Sequence, residues 1–131
     1  MKQIGKYALQ VQTDLSFDDA ITKVTHLLKE QGFGILTEID FKSTLKKKLD
    51  VDWKPYKILG ACNPPFAYKS LQAEPLVGVL LPCNIIVWDE GDHRIVAAME
   101  PGIMGDIIDN QEIRDVARQV SNLIKKVLKG I

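Results

Sequence analysis

"NIIVWDEGDHRIVAAME", residues Asn84 to Glu100, settles the sheet type. Two runs rich in β-branched and apolar residues flank Glu90-Gly91-Asp92, a turn sequence, and together they predict a β-hairpin. A hairpin forces its two strands antiparallel, and the rest of the chain is read against that unit.

Upstream, "KYALQVQT" (Lys6 to Thr13) alternates apolar and polar side chains, the pattern of a half-buried first strand. Ser16 with Asp19 three residues on makes a capping-box signature, and behind it Ala20, Val24, Leu27 and Leu28 share one helical face. Gly32 ends this helix near position 31. A second strand is expected over Phe33–Asp40, then a short helix over Phe41–Asp50 with Leu45 and Leu49 on one side. A third strand, Pro55–Cys62, is stopped by Asn63-Pro64-Pro65, because a residue before proline avoids the helical region. Pro65–Glu74 predicts a brief helix with proline in its first turn. Downstream of the hairpin, Gln111–Gly130 predicts an amphipathic helix with Ile113, Val116, Ala117, Val120, Leu123, Ile124 and Val127 as its core stripe. Lys125, Lys126 and Lys129 suit the negative end of its dipole.

Strand, helix, further strands, hairpin, helix is an α+β order. Its simplest build is a two-layer sandwich, an antiparallel sheet with the Ser16–Gln31 and Gln111–Lys129 helices on one face. The other face then needs a cover, which a partner subunit would supply.

The 131 residues make a single domain spanning 1–131, with no repeat or linker-like stretch. Lysine plus arginine and aspartate plus glutamate each number 17, so no net field draws the chain to nucleic acid or to anionic lipid. "MKQIGKYALQV" lacks the apolar stretch of a signal peptide, and no run approaches the roughly 18 apolar residues of a membrane span. A cytoplasmic protein with reduced thiols is expected.

The 2 cysteines lie in similar settings, "GACNPP" (Gly60 to Pro65) and "PCN" (Pro82 to Asn84). Cys62 ends the third strand and Cys83 begins the fourth, so neighbouring strands would place both thiols at one end of the sheet. Asn63 and Asn84 each add an amide beside a thiol, while Pro64 and Pro82 fix the adjoining backbone. Paired thiols with flanking amides suit a soft metal ion held by Cys62 and Cys83, a redox couple, or a thiolate nucleophile. The bland alternative is two small core side chains, since free cysteine is among the most buried residue types.

Other candidates carry less. His26 belongs to a helix surface and His93 to a polar turn. Lys46-Lys47-Lys48, near Trp53 and Tyr56, suggests phosphate or nucleic acid, but Asp50 and Asp52 blunt the field and a solvated helix face is the ordinary reading. Glu100 offers a carboxylate at the end of the last strand, before a Pro-Gly turn. Nucleophile-elbow, phosphate-loop, dinucleotide and zinc-protease motifs are all missing, so no conventional hydrolase, kinase or dehydrogenase is supported.

"LGACNPPFAYKSL", "LPCN" and "AAMEP" resemble the domain-of-unknown-function family 302, over nearly the whole chain. The resemblance implies a TATA-box-binding-protein-like β-α-β4-α fold in a bacterial or archaeal cytosolic protein. It also implies a homodimer, with no established activity and no stated cofactor. The family's two cysteine motifs fall on Cys62, Asn63 and Pro64 and on Pro82, Cys83 and Asn84. A fold name carries no function, and DNA binding does not follow from it. Three readings stand: a module binding a small ligand or soft metal at Cys62, Asn63, Pro64, Cys83, Asn84 and Glu100; a cysteine-dependent enzyme in thiol or sulfur handling; and a structural homodimer with inert cysteines.

Overall fold

The computed structural model describes all residues, Met1–Ile131. Strands β1 (Lys2–Ile4) and β2 (Ala8–Thr13) are followed by helix α1 (Phe17–Glu30), strand β3 (Gly34–Asp40) and helix α2 (Phe41–Leu49). Strand β4 (Tyr56–Cys62), helix α3 (Pro64–Ala73) and a 3-10 turn over Pro75–Leu80 come next. The chain closes with β5 (Cys83–Asp89), β6 (Arg94–Met99), α4 (Gly102–Ile107) and α5 (Gln111–Lys129). All six strands form one sheet in the order β1-β2-β6-β5-β4-β3, and every pairing is antiparallel. Between β2 and α5 the order β-α-β4-α emerges once the short helices are set aside.

The hairpin forms as the sequence predicts. Gly91 takes φ +98 in its turn, a left-handed value open to glycine, and Glu90 N–H donates to the His93 carbonyl at 2.9 Å. Pairing of Ile85 with Ala98 and of Val87 with Val96 sets the register and points all four side chains at the helices.

α1 begins where the capping box places it, with Ser16 Oγ accepting from Asp19 N–H at 3.1 Å. Its buried residues Ala20, Val24 and Leu28 pack with Val116, Val120, Ile124, Val127 and Leu128 of α5 over Leu9, Leu59, Ile85, Val87 and Val96 of the sheet. Both long helices therefore lie on one face. Each large aliphatic side chain buried there contributes roughly 1.5–3 kcal/mol. A smaller cluster of Val77, Met104, Ile113 and Ala117 closes the end of the sheet where β5 begins, under the 3-10 turn and α4.

Three elements have no counterpart among the expectations. β1 is an added edge strand, folded back so that Ile4 pairs with Ala8, which also moves the start of the first expected strand from Lys6 to Ala8. The 3-10 turn and α4 fill what reads as loop. β3 carries a bulge at Leu36, between the Ile35 and Thr37 pairings, leaving that leucine 67% exposed.

Candidate functional site

Cys62, Asn63 and Cys83 converge on a cavity of about 310 Å³ at one end of the sheet, closed over by α3. Its wall is mainly apolar: Phe33, Phe66, Leu81, Met104, Val116 and Val120 line it beside the thiols. The strand ends explain this geometry. β4 runs into Asn63-Pro64-Pro65, whose prolines start α3 at once, and α3 turns back across the sheet end. β5 begins directly after Pro82, with the Leu81–Pro82 peptide cis.

Gly60 makes the close approach of these strands feasible. A Cβ there would meet the Pro82 ring at 2.7 Å and would collide with Thr37 Oγ1. A side chain at this position has nowhere to go.

The polar atoms of the cavity are few and mostly committed. Asn63, buried, donates from Nδ2 to the Gln31 carbonyl at 3.1 Å and so ties α3 to the end of α1. Ser70, also buried, donates to the Phe66 carbonyl at 2.9 Å. The Asn63 side-chain oxygen remains as an acceptor. Burial pushes the Cys83 thiol up to about 11, with a smaller electrostatic push from Cys62, so Cys83 is a neutral thiol at physiological pH. Cys62 is half-buried, and both cysteines are free.

The expectation of a cysteine pair is corrected by the register. Cys83 pairs with Ala61, whereas Cys62 pairs with Gly34. Successive strand residues point to opposite faces, so Cys83 joins the helix-side core while Cys62 leaves β4 in the other direction. Both residues border the cavity, but their side chains leave the sheet on opposite faces and form no couple. Metal binding by Cys62 and Cys83 loses its basis with them, and no group of three or more His, Cys, Asp or Glu side chains is arranged to hold an ion.

The remaining residues singled out from sequence lie elsewhere. Pro64 is exposed at the first turn of α3, and Asn84 is exposed beside Gly60 on the face opposite the two long helices. Glu100 follows β6 at the same end of the sheet but borders a different, polar cavity. His26 is a surface residue 2.9 Å from Glu30, and Lys46 is neutralised by Asp50 at 2.9 Å and Asp52 at 3.4 Å. Sequence reasoning missed Phe66, Leu81 and Met104. Val116 and Val120 were visible only as part of a core stripe, and nothing in their spacing tells a cavity wall from a filled core.

An all-antiparallel α+β sandwich with two long helices on one face defines the class of the protein. The chain belongs to the family described as domain of unknown function DUF302, whose model matches residues 9–131. A crystal structure of an uncharacterized conserved DUF302 protein from Bacillus stearothermophilus is similar, with TM-score 0.88 and 24% identity over 96% of this chain and 98% of that one. That likeness shows the fold. No protein of curated function matches the chain.

Proposed function

We propose that the protein is a binding module for a small, predominantly apolar molecule held in the cavity beside Cys62 and Cys83. The observation that carries this reading is the cavity itself, about 310 Å³ in volume with 12 of its 16 lining residues apolar. Small-molecule sites are typically concave and apolar with a few fixed polar groups, and this volume sits at the lower end of their usual range of roughly 300–1,000 Å³. Leu36 and Leu71, both exposed, border the cavity and extend its apolar surface to solvent. The Asn63 oxygen would orient a ligand. A nucleophilic role for Cys83 is disfavoured by its retained proton, since the thiolate is the reactive form.

Indole is a suitable probe. Titrated at millimolar concentration, it is expected to shift the backbone amide resonances of Ala61, Cys62 and Ala67 in a saturable way. Ala67→Phe, which puts a ring into the cavity, is expected to remove that response while the melting temperature holds. Undisturbed amides in the natural protein, or unchanged binding in Ala67→Phe, would overturn the reading.

A further inference from the structure

On the opposite side of α5 from Val116 and Val120 lies a second cavity, of about 430 Å³, lined by no apolar side chain. It shares no residue with the apolar cavity. Glu100 belongs to its wall, and the Glu100 side chain is only 9% exposed. Oε1 accepts from Gly102 N–H at 2.8 Å. Oε2 pairs with Lys125 Nζ at 3.9 Å, an ion pair too long to be a hydrogen bond. No fully buried side-chain nitrogen or oxygen of the protein lacks a partner, so Oε2, which accepts no hydrogen bond, reaches solvent and stays open as an acceptor.

The other wall is cationic. α5 presents Arg114, Arg118 and Lys125 to this cavity at helical spacing. Arg114 is held by Asp109 at 3.2 Å and by Gln111, but Arg118 spends a single N–H on Asp115 at 3.2 Å, leaving most of its donors free. Asp106 is the other acid on the wall. Both signs of charge thus face one open polar space, with the acid deep and the cations outside it. A simple anion would satisfy the arginines but approach Glu100 at a cost, and a simple cation would meet the reverse problem.

We propose that this polar cavity is a second binding site, for a small zwitterion of the amino-acid class. Its acidic group meets Arg118 and Lys125, with Arg114 beside them, and its ammonium donates to Glu100 Oε2. Charge-assisted bonds form at both ends, and Oε2, open as an acceptor, gains a donor. The site is independent of whatever the apolar cavity holds.

L-serine, 3-hydroxypropanoate (serine without the amine) and ethanolamine (serine without the carboxylate) separate the alternatives when titrated against the intact chain by amide chemical shifts. Serine is expected to give saturable shifts at Gly102, Gly105 and Ser121, with either half-molecule binding about tenfold more weakly, the size of one lost charge-assisted bond. Glu100→Gln keeps an oxygen for Gly102 N–H and therefore the fold. It is expected to weaken serine about tenfold and to leave 3-hydroxypropanoate unweakened. Arg118→Gln is expected to weaken both acids and to spare ethanolamine. Equal affinity for serine and 3-hydroxypropanoate, indifference of serine to Glu100→Gln, or no shift with any of the three would overturn the proposal.

Discussion

Cys83 sits at the first position of β5 with its thiol turned into the helix-side core, and burial holds its proton there. An unfolded chain would ionise it near 9.0, the folded chain near 11. The folded form therefore binds more proton between these values. Its contribution to stability is complete below pH 9 and is lost as pH rises towards 11, about 2–3 kcal/mol in all. Urea melts at pH 8 and pH 11 should show that loss, and Cys83→Ala should shrink it. Native alkylation near pH 8 should label half-buried Cys62 first, and a Cys62→Ser variant should react slowly until unfolded. Labelling of Cys83 at the unfolded rate would contradict its placement. The two thiols were visible in the sequence as features of one end of the sheet. Their failure to pair was not, because a register difference of one residue reverses the face a side chain occupies, and no local pattern around Cys62 or Cys83 fixes the register between β4 and β5.

Helix α5 shows what local signals do settle. Asn110 caps it by accepting from the N–H groups of Glu112 at 2.9 Å and Ile113 at 3.2 Å, and its own Nδ2 donates to the Ala73 carbonyl at 3.3 Å. One side chain starts the helix and ties it to α3. Asn110→Ala should cost about 1–2 kcal/mol in a urea melt, while Asn110→Asp, which keeps the cap and loses the tie, should cost less than half of that. Equal losses would show that the link to α3 dominates. Long elements with an apolar stripe, α1 and α5, are readable from residues alone, α1 with its cap, as is the hairpin. α4, six residues containing Gly102 and Gly105, is too short to show a period, and β1 has only three residues. The cavities inherit this limit. The polar one is closed by α4, and the apolar one by the 3-10 turn together with α3, which the sequence does predict.

Across the whole molecule one sheet face carries the long helices and the other carries none. On that second face Ile39, Ile58, Ile86 and Ala97 stand in one registered row, with Tyr56, Trp88 and Ile95 in another. Tyr56 stacks on Trp88 with ring centroids 5.9 Å apart, and Phe41 of α2 meets Tyr56 edge-on. The rows turn polar towards β1 and β2, at Gln10, Gln12 and Lys2. We propose a second copy of this chain as the cover. A patch with an apolar centre and a polar margin can be self-complementary, and two-fold pairing brings the centre of each copy onto the other. Light scattering at micromolar concentration should then give twice the chain mass. Ile86 lies in the middle row, so Ile86→Lys would set a charge against its own symmetry mate as well as against apolar surface. That variant should run as a folded monomer, with the helix-side core and its far-ultraviolet circular dichroism intact. A monomeric natural protein, or an Ile86→Lys variant that stays dimeric, would exclude this face as the contact. A face with apolar rows near its middle and no partner would then have to rest on its own aromatic stack and on water. Antiparallel sheets tolerate one solvated face, but normally with polar side chains alternating outward, which β5 does not provide at Ile86 and Trp88.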